Sequence, residues 1–260
     1  MRTGLLIYLC KFMLDKARVK IDYLRYKKLY LALQKEVYKF VKGIEREFAK
    51  IDVADTKKRI KTLTSINRNI DRPDKYQECS SLLEIKDIAG IRIVCHCEDD
   101  LVNLVNILEL RLPQQYSNVE KDDKRNNSAN DNDPERKSNP LYRAVHFTFM
   151  KVLRDKDENI PLFCEIQVRT VMGDAWAVQD RRYIYGNESE GDSRILTNSV
   201  AGILQACEGL WSMVKTKYKD GTRPKIKEPQ VIKYLVSKEV ETTKQQSATK
   251  FDADLKNDKL

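Results

Sequence analysis

The heptapeptide Phe163–Arg169 constrains this chain more than any other segment. Strict alternation sets Phe163, Glu165, Gln167 and Arg169 on one side and Cys164, Ile166 and Val168 on the other, because successive side chains of a strand point to opposite faces. One face is built for a core; the other carries an acid, an amide and a cation. A row of that kind is costly to bury without partners. It belongs either to a solvated sheet face or to a site that holds a ligand.

The segment 91–97 repeats the pattern, with Ile91, Ile93, Cys95 and Cys97 on one face and Arg92, Val94 and His96 on the other. Further strands are predicted over Ala144–Leu153 and Pro161–Thr170, joined by the turn-prone run Asp155-Lys156-Asp157-Glu158-Asn159. Between Lys27 and Lys50 the residues Leu33, Val37, Phe40, Ile44 and Phe48 recur at helical spacing. Helices are also predicted over Leu101–Leu112, Val171–Tyr185 and Ile195–Tyr218. A basic stretch, Lys57-Lys58-Arg59-Ile60-Lys61, leads into polar residues up to Pro73, and residues 113–139, dense in Asn, Asp, Ser and Lys, read as a mobile loop. This order predicts an α+β fold: a mixed, largely antiparallel sheet flanked by helices, with helical N- and C-terminal extensions. The corresponding division is an amphipathic N-terminal helix over 1–26, one catalytic domain over 27–218 and a polar, disordered tail over 219–260.

With 260 residues, 41% hydrophobic and 33% charged, the chain can bury one substantial core. Its net charge of +9 favours polyanionic partners, whether nucleoside triphosphates, RNA or an acidic membrane face. The apolar run Leu5–Cys10 is broken by Lys11, well short of the roughly 20 residues of a spanning helix, so no stable membrane insertion is expected. Six cysteines without framework spacing point to reduced thiols and a cytoplasmic home. Cys95-His96-Cys97 is not a zinc site on this pattern, because alternation aims His96 away from both thiols.

Two further positions bear on chemistry. Parity groups Tyr142 with Ala144, His146 and Thr148; a planar base could stack on that ring, and an ordinary half-buried strand would look the same. Asp87 stands at the entrance to the strand that begins near Ile91, where a carboxylate either holds Mg²⁺ or caps a turn.

Read in order, KDIAGIRIV (86–94), YRAVHF (142–147), CEIQVRT (164–170) and DAWA (174–177) resemble the successive motifs of RelA/SpoT-type alarmone synthetases, the small enzymes that make (p)ppGpp. RIKTLTS (59–65) is similar to the family's basic segment, and the resemblance spans about residues 30 to 215. It implies a nucleotidyltransferase-like synthetase domain of the small monofunctional branch, with ATP as donor, GDP or GTP as acceptor and Mg²⁺ as cofactor. Asp87 would then be a catalytic Mg²⁺ ligand, and Arg59, Lys61 and Arg92 would hold ATP. Tyr142 would stack on the guanine, while His146, Glu165, Gln167 and Arg169 would line the acceptor and phosphate region. By the same carry-over Asp180 is the second catalytic and metal-binding carboxylate, and that chemistry requires Asp87 and Asp180 to meet across one cleft close to Tyr142.

The chain departs from the family pattern at two places. After Trp176-Ala177, where a segment ending in Glu-His is usual, it has Val178-Gln179-Asp180-Arg181, and Asp180 has about one bond less reach than Glu. Leu141 stands where Gly usually precedes the Tyr; a leucine at positive φ would be strained by roughly 1 kcal/mol or more. These departures leave two alternatives beside the (p)ppGpp synthetase: a toxin-like relative that pyrophosphorylates tRNA 3′ ends or adenosine nucleotides, and a catalytically degenerate nucleotide- or RNA-binding regulator. Whether the chain forms homo-oligomers is open at this level.

Overall fold

The computed structural model describes residues 14–72, 76, 79–125, 143–183 and 191–219, and for 180–183, 191–198 and 216–219 the description extends to the backbone alone. The chain divides into two compact units, 1–213 and 214–260, and the sheet lies in the first. In chain order the elements are α1 (Lys16–Glu47), β1 (Val53–Ile60), α2 (Leu63–Ile70), β2 (Ala89–Cys95), α3 (Glu98–Arg111), β3 (Ser117–Asp123), β4 (Val145–Asp155), β5 (Glu158–Thr170), α4 (Val171–Tyr183) and α5 (Gly191–Lys219). The strands form one five-stranded sheet in the order β1-β2-β5-β4-β3. Only the β2–β5 pair is parallel among those described; the other three pairings are antiparallel. The fold is therefore α+β with a mixed, largely antiparallel sheet, as the sequence implies.

The alternation in β2 and β5 is realised residue by residue. Ile91, Ile93 and Cys95 of β2 pack with Cys164, Ile166 and Val168 of β5 and with Val145, Phe147 and Phe149 of β4, all within one core. Helices α1 and α3 supply the other side of that core. Asp15 caps α1 by accepting the N–H groups of Ala17 and Arg18, which satisfies donors that have no partner inside the helix. From there Val19, Tyr23, Tyr26, Tyr30, Leu33, Val37, Val41 and Ile44 face the sheet.

Three boundaries differ from those expected from sequence. The helix predicted from Lys27 begins at Lys16, so the division expected between 26 and 27 falls inside one helix; its first turns are packed by Val19 and then by Tyr23, Tyr26 and Tyr30, and the Tyr23 hydroxyl donates to the Lys61 carbonyl at 3.0 Å. The basic stretch 57–61 is mostly strand β1, and the loop expected over 113–139 contains strand β3. Both are sheet edges, where charged side chains are the usual guard against unwanted pairing and erase the apolar alternation. The remainder of that loop from residue 126 onwards, the tail beyond residue 219 and residues 1–13 lie outside the described residues.

Phe147 lies at the centre of the sheet's packed face, paired with Ile166 of β5 and fully buried. Replacing Phe147 with Ala is expected to cost about 3–5 kcal/mol, read as a lowered midpoint in urea denaturation; a loss below about 1 kcal/mol would contradict a core centred on this strand.

Candidate active site

The opposite face of the sheet is polar, and strand register fixes who stands beside whom. Across one row Arg59 of β1 pairs with Gly90 of β2, Gly90 with Glu165 of β5, and Glu165 with Thr148 of β4. Two residues along, the next row runs Lys57, Arg92, Gln167, His146. At Gly90 an added Cβ would lie 3.5 Å from the Glu165 carbonyl oxygen and 3.8 Å from that of Arg59, ordinary contact distances. The glycine is thus not demanded by backbone clearance; its effect is to leave open floor between a guanidinium and a carboxylate.

At one end of this face the antiparallel turn of phase between β1 and β2 brings Lys61 against Asp87. The Lys61 N–H donates to the Ile88 carbonyl at 2.8 Å, and its ammonium donates to Asp87 Oδ2. The same ammonium donates to the Tyr76 hydroxyl at 2.5 Å, which in turn donates to Asp87 Oδ1 at 3.1 Å. Tyr76 adopts φ 55°, a left-handed conformation costing a tyrosine roughly 1 kcal/mol or more, and the hydroxyl also accepts from Asn69 Nδ2 at 3.3 Å. The Lys61 side chain is 3% exposed while that of Asp87 is 32% exposed. Burial pushes the Lys61 ammonium down in pKa, and the neighbouring Asp87 carboxylate works against that shift; the charges of Glu165 and Arg59 act on the same ammonium.

In the middle of the face Glu165 is held on both oxygens: His146 Nδ1 is 3.0 Å from Oε1 and Gln167 Nε2 donates to Oε2 at 2.7 Å. Burial pushes the Glu165 carboxyl up, but His146, Gln167 and the charge of Arg59 together outweigh it and hold the group at about 2. Glu165 is therefore a fixed negative charge at neutral pH.

At the far end α4 folds onto the face and inserts Asp174. Its carboxylate meets Arg92 Nη1 at 3.0 Å, Arg169 Nη1 at 3.4 Å and Lys57 Nζ at 3.6 Å. Arg169 also donates to Gln167 Oε1 at 3.2 Å, so the two central strands and α4 share one network. The Arg169 side chain is only 1% exposed; a guanidinium at that depth persists because it is paired.

The structure thus gathers Arg59, Lys61, Asp87, Arg92, His146, Glu165, Gln167 and Arg169 on one face. Arg169 is turned inward to Asp174 and Gln167 rather than to open space. Tyr142 lies outside the described residues, and Asp180 lies near the end of α4 where the description stops at the backbone. Three groups escaped the sequence: Lys57, whose parity with Arg59 was the available signal; Asp174, present in the DAWA motif without a role; and Tyr76, which sits in a polar connection without periodicity and left no signal.

Among the described residues no group of three or more His, Cys, Asp and Glu could cage a metal. Mg²⁺ does not ask for one, since it is bound through one or two carboxylates together with substrate phosphates and water. The part-exposed Asp87 beside a row of cations fits that demand. The zinc alternative finds no support: Cys97 Sγ donates to Asp100 Oδ2 at 2.9 Å, and His96 turns to Asp52 at 3.6 Å.

Residues 58–190 match the family model described as the region found in RelA/SpoT proteins. A curated relative, the GTP pyrophosphokinase YwaC of Bacillus subtilis (strain 168), is 28% identical over 134 residues, which is 51% of this chain and 59% of the relative. The match therefore spans less than two thirds of that protein. Among solved structures, a GTP pyrophosphokinase family protein from Streptococcus pneumoniae superposes with a TM-score of 0.62 at 18% identity, covering 77% of this chain and 96% of that one. Small alarmone synthetase 1 from Bacillus subtilis, solved with its product pppGpp, gives 0.61 at 19% identity over 75% and 97% of the two chains. At these identities the structural likeness is one of fold.

The Glu165 environment sets a pH signature. The folded carboxyl, at about 2, lies below its ordinary value of 4.5, so the unfolded chain takes up the proton first as pH falls. The stability contributed by the charge is present above the unfolded value and is lost on the way down. The stability gap between wild type and Glu165→Gln, measured by urea denaturation, is expected to narrow as pH drops from about 5 to about 3. A gap that stays constant would mean the charge of Glu165 stabilises nothing.

Proposed function

The chain belongs to the RelA/SpoT family, and on that footing we propose that it is a GTP/GDP pyrophosphokinase: it transfers the β,γ-pyrophosphate of ATP to the ribose 3′-hydroxyl of GDP or GTP, making (p)ppGpp. The observation that carries this is the polar sheet face, where Lys57, Arg59, Lys61 and Arg92 share one surface with the carboxylates of Asp87, Glu165 and Asp174. Pyrophosphoryl transfer, like other phosphoryl transfer, asks a protein mainly for positioning and charge neutralisation, and cations and carboxylates held in fixed register on one face answer that need. The names of the relatives point the same way: one is a GTP pyrophosphokinase, and another was solved with pppGpp.

In this proposal Arg59, Lys61 and Arg92 bind the ATP phosphates and Asp87 holds Mg²⁺. When bound, that ion neutralises charge developing on the phosphate oxygens. His146, Glu165 and Gln167 line the acceptor side, and Tyr142 stacks on its base. Arg169 acts through the groups it holds, fixing Gln167 and Asp174 and so Arg92. For the 3′-proton the motif suggests Asp180 as acceptor, while Glu165, whose carboxyl His146 and Gln167 hold low, accepts a hydrogen bond from the hydroxyl and orients it.

The five described cysteines are thiols, which accords with a cytoplasmic enzyme. Among the described residues no helix is long and apolar enough to cross a membrane. The +9 charge keeps tRNA in view as a second acceptor, which one assay separates.

Purified protein, γ-labelled ATP and Mg²⁺ are to be offered GDP, GTP, ATP and bulk tRNA in turn. Label on a guanosine 3′-diphosphate is the expected result; label on tRNA or adenosine nucleotide would transfer the activity to the toxin-like class, and no product on any acceptor would reject transfer altogether. Asp87→Asn should lower kcat by about 100-fold or more. Asp180→Asn should collapse kcat with KM for the acceptor little changed, whereas Glu165→Gln should raise that KM.

A further inference from the structure

The Lys61–Asp87 pair occupies the carboxylate on which the proposed metal would have to sit. Lys61 Nζ donates to Asp87 Oδ2, and Tyr76 donates to the other oxygen at 3.1 Å. Both oxygens of the carboxylate are thereby engaged within the protein itself. The arrangement is not a surface accident: Lys61 is 3% exposed, its backbone is anchored to Ile88 and to Tyr23, and Tyr76 bridges the ammonium and the carboxylate from a left-handed backbone conformation.

We propose that Lys61 is an internal counter-ion that stands on Asp87 in the absence of nucleotide and yields the carboxylate to a divalent cation only when the donor's phosphates arrive. This inference rests on Asp87 being the metal ligand. An ammonium and a divalent ion on one carboxylate repel each other unless an anion comes between them. A triphosphate supplies that anion, giving Lys61 a new acceptor and the metal its remaining oxygens. A lysine suits the exchange because its charge is a compact head with three donors on a flexible four-carbon stem, so the head can move from carboxylate to phosphate while the stem stays packed. A fixed guanidinium fork in the same place would give up Asp87 less readily. Free metal is thus kept off the empty site, and the cation enters with the donor nucleotide.

The test is binding of Mn²⁺ to the full chain, followed by electron paramagnetic resonance with and without a non-hydrolysable ATP analogue, for wild type, Lys61→Met, Tyr76→Phe and Asp87→Asn. Wild type should bind Mn²⁺ weakly alone and at least tenfold more tightly with the analogue present. Lys61→Met keeps a stem of similar length and should bind Mn²⁺ alone at least tenfold more tightly than wild type, with a smaller gain from the analogue. Tyr76→Phe loosens the ammonium without removing it and should fall between the two; it also keeps the question answerable if Lys61→Met does not fold. Metal-alone affinity equal in wild type and both variants would overturn the counter-ion role. If Asp87→Asn leaves Mn²⁺ affinity in the presence of the analogue unchanged, the fault lies instead with Asp87 as ligand, and both inferences fall together.

Discussion

The parallel pairing of β2 with β5 is the constraint on which the rest of this molecule depends. It sets Gly90 beside Glu165 and Arg92 beside Gln167 while the alternate residues, Ile91 with Ile166 and Ile93 with Val168, close the core. Because strand side chains alternate with a period of two, a slip of one residue would turn the carboxylate and guanidinium into the core and the isoleucines out. Hydrophobic burial therefore does more than stabilise. It enforces the spacing of every charged group on the other face, since none of them can shift without exposing apolar neighbours at about 25 cal/mol per Å².

That other face is expensive on its own account. Buried or half-buried ions lose hydration, and their mutual attraction often does no more than offset the loss. Here Asp174 gathers Arg92, Arg169 and Lys57, and Glu165 is bound on both oxygens. Over the face, the cations Lys57, Arg59, Lys61, Arg92 and Arg169 stand with the acids Asp55, Asp87, Glu165 and Asp174, and Glu120 and Asp122 of β3 lie in register with Thr148 and His146. An apolar or fully solvated surface would have been the cheaper way to finish a sheet. Five cations gathered on one sheet face are groups that a polyphosphate can engage, and binding accounts for their cost better than stability does.

How much of this could be read from sequence follows the same physics. The central strands β2 and β5 were legible because burial on one face imposes a strict alternation, and the charged half of that alternation named Glu165, Gln167, Arg169 and Arg92 directly. The edge strands β1 and β3 were not, since an edge faces solvent along one side and its sequence, VADTKKRI or SNVEKDD, is governed by solubility. The start of α1 was hidden for a related reason: tyrosines fill its inner stripe, and their hydroxyls score as polar though the rings are buried. Partnerships across the sheet were beyond reach in principle. Nothing local in the letters says that Lys61 meets Asp87 or that Asp174 closes over Arg92, because those contacts are products of register and of the path of α4.

The two ends of the polar face differ in a way that suggests a division of labour. At the α4 end, Arg169 and Asp174 are 1% and 11% exposed and tie two strands to a helix; moving Asp174 would take that carboxylate from the buried guanidiniums of Arg92 and Arg169, a loss of about 3–5 kcal/mol. That end is therefore rigid, and holds Arg92 and Gln167 in place. At the Asp87 end, the carboxylate is 32% exposed and its partner is a lysine, the one cation whose head can be handed to another acceptor at little cost in packing. The proposed pyrophosphoryl transfer would draw on both properties: a frame that does not relax when highly charged ligands arrive, and one place where a protein ion pair can be exchanged for a ligand ion pair. The sheet supplies the first through register, and the short, non-helical approach to β2 supplies the second.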